Sequence, residues 1–517
     1  MSASREKKVR QEMAASGTPD PKKVRQEEER LKHRRTNLMY GIIAGVFVLV
    51  AAFLLLWNSN VIQRGTTAVT IDGTKYTAAE MNYYYFNTYN YWRNSQYASY
   101  LGLGNAIDRN TTHLNEMARS FVGVTEDMTW DEYLKQETIE TLTHMTRLTA
   151  LAEKENYTFT EEMQKQLDEN LESLREAAKR EGMSEAAYLK AVYGNTMTKA
   201  TYVKMWKQYA IASAYDTAYK QSLTYTDSDR EAYYQEHKDD LDVVSCEYIL
   251  FNGNAPTTDA DGKTIEPTDE DKEKAKNAAK DAAEAALERF NNGETLEEIA
   301  TDYSIATYTK QDAATHSTSD LSKWLFDANR AEGDKSIVES DPNFYLAVFH
   351  SRSINDARTV NVRHILFLTD TSALDKDSET YEADVAAIQE AAKAKADEAL
   401  QNWKDGEATE DSFAAMANEL SEDPGSNTNG GLYENVSEGD MVESFDKWIF
   451  DEARKVGDTD VVETSYGYHV MYFVGDGLPT WKVLADNSLR NTEYNEWSEE
   501  SVADAVINRL GGMKYVG

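Results

Sequence analysis

The chain of 517 residues has one cysteine, Cys246, only seven prolines and only 26 glycines. A single cysteine excludes an intramolecular disulfide framework and a cysteine-ligated zinc site. Scarce proline and glycine disfavour long flexible linkers. Basic charge is also in short supply: 54 Lys and Arg stand against 90 Asp and Glu, a formal net charge of -36. A nucleic-acid binder needs a basic face, and this composition argues against one. No calcium loop, phosphate loop or Ser/His/Asp signature is visible, and the histidines lack the spacing of a zinc site, so neither metal nor cofactor is implied. What is present is 41% hydrophobic and 11% aromatic, enough for real cores. The length implies three or four domains.

The charge is unevenly spread. Residues 1–37 hold eleven basic and six acidic side chains, a net +5, which leaves -41 for the remainder. Between the two runs LMYGIIAGVFVLVAAFLLLW, 38–57, with no charge in 20 residues. As a helix it is long enough for a hydrocarbon core of roughly 30 Å. A cleaved signal peptide would have a shorter apolar region and a small-x-small site, which NSNVIQRG does not offer. A buried core helix would carry some polar residues, and a lipoprotein would need a cysteine after the apolar run. The segment therefore reads as a single-pass anchor. Its basic flank predicts a cytoplasmic N-terminus and an ectodomain outside. The repeat KKVRQE, at 7–12 and 22–27, reads as a solvated basic tail near anionic lipid.

A larger repeat organises the second half. VVSCEYILF (243–251) resembles TVNVRHILF (359–367), and both alternate as strands do. Each precedes an Ala-, Lys- and Glu-rich helix (269–290 and 383–403), a Gly-Glu turn and a second short helix. KWLFDANRAEGD (323–334) then matches KWIFDEARKVGD (447–458), and NFYLAVF matches GYHVMYF. Five matched blocks in one order describe a duplicated α+β unit.

In the second copy, RHILF, LSEDPGSNTNGG, EGDMVESFDKWIF and VVETSYGYHV together resemble the parvulin family of peptidyl-prolyl isomerases. The resemblance implies a four-stranded antiparallel sheet wrapped by helices, and cis/trans isomerisation of X-Pro bonds. By position it implies paired central histidines at His364 and His469, an acid at Asp423, and Thr464 within the histidine network. It implies an apolar proline pocket from Leu432, Met441 and Phe445. The family's usual Gly-Gly-Asp-Leu-Gly is here Gly430 to Glu434, GGLYE, and the usual Gln before the Met is Asp440. These departures bear on substrate preference and rate. In the first copy Tyr248 stands for His364, Tyr345 for His469 and Ala306 for Asp423, and seven loop residues are missing. That copy keeps the scaffold and loses the site, which leaves it spacing or substrate binding. Cys246 shares a strand face with Tyr248 and reads as a buried, inert thiol.

Between anchor and repeats, VTIDGTKYT (69–77) reads as a hairpin with an Asp-Gly turn. Thr77 and Glu80 form a capping-box pattern opening an aromatic helix with Tyr83, Tyr84, Tyr85, Phe86, Tyr89, Tyr91 and Trp92. Thr129 and Glu132 open another, to about Asn156. Further helices are expected over about 160–180, 184–193, 196–223 and 227–237. The layout resembles the N-terminal domain of SurA-type and PrsA-type extracytoplasmic foldases. The aromatic run reads mainly as core, with a client-binding role for part of it. At the C-terminus Trp497, Val502, Val506 and Leu510 predict a helix by heptad-like spacing, and by the resemblance this segment packs on the N-terminal helices.

The expected architecture is α+β: a helical SurA/PrsA-like chaperone domain plus two tandem parvulin-like domains, each a four-stranded antiparallel sheet with surrounding helices, preceded by one transmembrane helix. The boundaries are a basic cytoplasmic tail 1–37, anchor 38–57, chaperone-like domain 58–241, degenerate parvulin-like domain 242–356, isomerase domain 357–477 and C-terminal segment 478–517. The expected function is a membrane-anchored extracytoplasmic foldase for unfolded, newly secreted polypeptides containing X-Pro. The alternative is a holdase or assembly scaffold using the parvulin domains only for binding. Nothing in the sequence sets an oligomeric state.

Overall fold

A computed structural model of the chain describes residues 3–17, 21–58, 60–103, 107–258 and 262–517. Positions 1, 2 and 18–20 of the basic tail, and position 59 within NSNVIQRG, lie outside the described residues. The apolar run belongs to a helix, Pro21–Asn58, that starts well before residue 38. The tail residues preceding the run are mostly Lys, Arg, Glu and Gln, good helix formers, and no proline follows Pro21 to interrupt them. Within it Glu29–Leu54 is long and apolar enough to cross a membrane, and none of that window is buried against protein. Phe47 and Leu49 are 72% and 71% exposed, which is costly in water and favourable in lipid.

The chain divides into two units, one of residues up to Ser222 together with Tyr494–Gly517, the other Leu223–Glu493. The first opens on the expected hairpin, Thr67–Ile71 and Thr74–Thr77. Its turn residues Asp72 and Gly73 have φ of 48° and 82°, the left-handed pair a two-residue hairpin requires. Thr77 caps the helix Ala78–Asn94: its hydroxyl accepts from the Glu80 amide, and the Glu80 carboxylate accepts from the Thr77 amide at 2.7 Å. The same box at Thr129 and Glu132 starts Trp130–Lys154. The helices Glu161–Arg180, Glu185–Tyr193 and Lys199–Ser222 complete the layer. Their core is unusually aromatic, with Tyr83, Tyr84, Tyr85, Phe86, Tyr89 and Trp130 all buried.

The C-terminus departs from the heptad reading. The helix Thr480–Ala503 stops before Val506, and Ile507–Arg509 is instead a strand. It pairs antiparallel with the hairpin, Val69 opposite Arg509 and Ile71 opposite Ile507, making a three-stranded sheet. A lone hairpin leaves backbone groups unpaired along its edge, and pairing that edge outweighs another helical turn. The last residues stay close: Gly512 approaches the Thr67 carbonyl so nearly that a Cβ there would lie 2.5 Å from it, and Gly517 N–H donates to Asn82 at 2.9 Å. Truncation after Ala503 is therefore expected to unprotect the Val69–Ile71 amides at least tenfold in hydrogen exchange. Unchanged protection would show the hairpin to be self-sufficient.

The second unit contains the duplication as two four-stranded antiparallel sheets of identical topology. In the first sheet the spatial order is Ala306–Thr315, Asp242–Phe251, Asn343–Ile354, Lys335–Ser340. In the second it is Leu432–Ser437, Thr359–Leu368, Gly467–Asp476, Thr459–Thr464. Strand alternation gives each sheet two buried faces. In the second, Ile365, Phe367, Tyr468 and Val470 pack under the helix Tyr381–Asp405 through Ala392, Ala396 and Ala399, small residues that let the helix sit close. The other face presents Val360, Val362, Met471 and Phe473 to Phe445, Trp448 and Ile449 of the helix Glu443–Ile449. The first sheet repeats both layers, with Cys246 fully buried beside Val244, Leu325 and Phe349. Burial pushes that thiol up to about 11, so it is unreactive near neutral pH.

Candidate active site

His364 and His469 lie on the two central strands of the second sheet, on the Phe445 face. The ladder sets Leu366 opposite His469 and His364 opposite Met471, so the histidines are diagonal neighbours. Their Nδ1 atoms are 3.0 Å apart, and they are 3% and 5% exposed. His364 Nε2 lies 2.9 Å from Asp423 Oδ2, and His469 Nε2 lies 2.8 Å from the Thr464 hydroxyl. Phe445, 2% exposed, meets both imidazoles edge to face at 5.5 and 5.3 Å.

The partners assign the protons. The Asp423 carboxylate can only accept, so His364 Nε2 donates to it, and in a neutral ring His364 Nδ1 is then an acceptor. His469 Nδ1 then donates to His364, and His469 Nε2 accepts from the Thr464 hydroxyl. That hydroxyl in turn accepts from the Tyr466 amide at 3.1 Å. Every ring nitrogen is satisfied with both imidazoles neutral. Burial is the main cause pushing His469 down to about 3, with neighbouring His364 adding to it. The hydrogen bond from His364 holds the Asp423 carboxyl far below the ordinary carboxylate range, aided by Ser426 and the Gly425 amide.

His364 and His469 come from strands and Asp423 from a loop, 421–431, whose shape follows from its glycines. Gly430 and Gly431 have φ of 74° and 71°. A Cβ on Gly431 would lie 2.2 Å from the His364 carbonyl oxygen, and one on Gly430 would lie 2.7 Å from Ala414 Cβ. The loop thereby presses flat on the strand, Gly431 C=O accepts from the His364 amide at 2.9 Å, and Asp423 reaches Nε2.

Met441 and Phe445 join one apolar cluster on the histidine face. Leu432 does not. It pairs with Arg363, and Arg363 turns to Glu410 on the opposite side of the sheet. Directly paired residues share a face, so the expectation for Leu432 is corrected: the wall beside His364 is Tyr433, paired with Val362 and stacked on the imidazole at 5.3 Å. Tyr433 also donates to Asp423 at 3.0 Å, and burial with that bond raises its hydroxyl to about 12. The GGLYE departure thus supplies a ring and a hydrogen bond. Two further residues escaped the sequence reading. Ser426, fully buried, donates to Asp423 at 2.5 Å and lies 3.0 Å from His364 Nε2. The Ser421 hydroxyl accepts from the Leu366 amide at 3.1 Å. Both lie inside the LSEDPGSNTNGG motif, but no spacing rule singles them out.

The first sheet shows the same positions with other chemistry. Leu250 opposes Tyr345 and Tyr248 opposes Ala347, the same register as the histidines. The tyrosine rings meet edge to face at 5.6 Å. Ala306 is already in a strand there, paired with Phe251, so no loop crosses the face to bring an acid.

These pKa directions make stability depend on pH. An unfolded histidine titrates near 6.5, whereas folded His469 stays neutral to about 3. Between those values the unfolded chain binds the extra proton, so stability is full above about 6.5 and falls with falling pH, by at most ~1.4 kcal/mol per unit from this group. Asp423 adds to the loss below the ordinary carboxylate range. Denaturant melts between pH 7 and 4.5 are expected to show this slope, flattened in His469→Asn. An unchanged slope in that variant would contradict the assignment.

Residues 344–475 match a family profile described as the PPIC-type PPIASE domain, Rotamase_3. The foldase protein PrsA 1 of Listeria innocua is 35% identical over 82 residues, 16% of this chain and 26% of that protein. The chain thus spans about a quarter of the length of this curated relative. Among solved structures, PrsA from Bacillus subtilis is 15% identical over 73% of this chain and 87% of its own, with a TM-score of 0.25. PrsA from Bacillus cereus is 14% identical over 77% and 90%, with a TM-score of 0.18. The matched segment, from the last strand of the first repeat through the second, is a PPIC-type, parvulin-like domain.

Proposed function

We propose that this chain, whose second repeat is a PPIC-type isomerase domain, is a membrane-anchored extracytoplasmic foldase that binds newly translocated polypeptides and isomerises their X-Pro bonds. The observation carrying the reading is the unbroken hydrogen-bonded line Thr464, His469, His364, Asp423 laid against Phe445. Rotation about X-Pro must break amide resonance, a barrier of roughly 18–20 kcal/mol. Resonance places partial charge on oxygen and nitrogen, so an apolar wall of Phe445, Met441 and Tyr433 disfavours the planar form relative to the twisted one. Two imidazoles, held by their partners, offer a fixed polar surface at the amide without needing reorganisation. No covalent step is required. In this reading the isomerase unit is residues 357–477, and the first repeat, with tyrosines at the histidine positions, spaces or binds substrate.

The exposed apolar helix is the candidate anchor, and its basic N-terminal flank supports a cytoplasmic N-terminus with the ectodomain outside. A strongly acidic ectodomain stays soluble and apart from anionic surfaces. The test is the rate of cis-to-trans conversion in an X-Pro tetrapeptide and in a protein whose refolding waits on proline, with the full chain in detergent. Acceleration of both is expected. Suppressed aggregation with no acceleration would replace this reading by a holdase, which the near-complete burial of both imidazoles also favours.

A further inference from the structure

The helix Ala78–Asn94 buries one set of aromatic rings and leaves another open. Between it, Trp130–Lys154 and Lys199–Ser222 lies a cavity of about 550 Å³ lined by Tyr84, Asn87, Tyr91, Trp92, Glu137 and Tyr209, among others. Tyr91 is 69% exposed and Tyr209 46%, at the mouth. Among the described residues two polar groups here lack partners. The Tyr84 hydroxyl is buried and makes no hydrogen bond, on a residue only 5% exposed. Glu137 is half-buried, and its carboxyl is raised by burial and by Glu140, with no cation opposing either. Among the described residues no Lys or Arg lines the cavity.

Rings and an uncompensated carboxylate form a cage for a cation. The same helix shows that pairing satisfied on another face. Arg109 lies 4.4 Å above the Tyr89 ring and donates to the Tyr85 hydroxyl at 3.1 Å, and that hydroxyl donates to Asp131 at 2.9 Å. The open cavity has every part of this arrangement except the guanidinium.

We propose that the cavity binds a basic side chain of an extended polypeptide, arginine in preference to lysine, between the rings of Tyr91 and Trp92 and the Glu137 carboxylate. A guanidinium stacks flat on an aromatic face and offers forked N–H donors, which suit Glu137, the Tyr84 oxygen and the Asn87 amide oxygen together. An ammonium offers only a point charge. The site lies in the helical unit and does not rest on the isomerase reading.

Calorimetric titration of the full chain in neutral detergent at 0.15 M salt tests it, using Ac-Gly-Gly-Xaa-Gly-Gly-NH2 with arginine, lysine or citrulline at Xaa. Citrulline keeps the shape and removes the charge. The arginine peptide is expected to bind at least fivefold more tightly than the citrulline peptide and more tightly than the lysine one. Glu137→Gln is expected to erase the arginine-citrulline difference, although it alters the net charge of -36 by only one. Tyr91→Ala, at an exposed ring, should weaken arginine binding at least threefold with an unchanged melting temperature. Neither variant should alter tetrapeptide isomerisation, so this site and the isomerase can fail separately. Equal arginine and citrulline affinities, an unaltered affinity in Glu137→Gln, or tighter binding of tetramethylammonium than of the arginine peptide would each overturn the proposal.

Discussion

His469→Ala is expected to lower kcat/KM for X-Pro isomerisation at least tenfold, the loss of about 1.4 kcal/mol of transition-state stabilisation. The imidazole is the middle link of the site. It donates to His364 Nδ1 and accepts from Thr464, so its removal strands an acceptor and a hydroxyl in a region closed to solvent. Each such group costs roughly 1–3 kcal/mol unless water replaces the ring. His364 can then turn or shift its proton, and the surface facing the amide is no longer fixed. A merely structural role would lower the melting temperature while leaving the rate per folded molecule intact, so the two are measured together. Thr464→Val provides the graded case: it keeps the shape and removes the partner of His469 Nε2, and a smaller loss is expected. Equal rates in wild type and His469→Ala, at equal folded fraction, would end the catalytic assignment.

Gly431→Ala is expected to cost at least ~3 kcal/mol of stability and to abolish the site with it. Two independent obstacles meet at this position. Its φ of 71° is unfavourable to a side chain, and the added Cβ would lie 2.2 Å from the His364 carbonyl oxygen and 3.0 Å from Ala417 Cβ. Neither neighbour can yield cheaply, since one is the backbone of a central strand and the other belongs to a helix packed on it. The loop would lift, and Asp423 and Ser426 would leave His364. Gly439→Ala is the control. Its φ is 91° but nothing lies within 4 Å of its Cβ, so only the backbone preference is lost, about 1 kcal/mol. Chemical denaturation of the full chain, followed by far-ultraviolet dichroism, separates the two. Similar midpoints for both variants would show that the loop is not seated as described.

Sequence alone determined what depends on neighbours in the chain. Capping boxes at Thr77 and Thr129, the Asp72–Gly73 turn and the alternating strands around Tyr248 and His364 are local patterns. The duplicated α+β architecture followed from them because repeated blocks repeat their buried faces. Tertiary structure decided what depends on register. The resemblance placed Leu432 in the pocket by its position in the motif, yet pairing with Arg363 turns it away and brings Tyr433 to His364. Ser426 meets His364 only because two glycines fold the loop onto a strand about 60 residues earlier in the chain. The helix predicted through Val506 and Leu510 gave way to a strand because an unpaired hairpin edge lies over 400 residues upstream. A one-residue step along a strand exchanges its faces, and the partner that sets the step is remote in sequence.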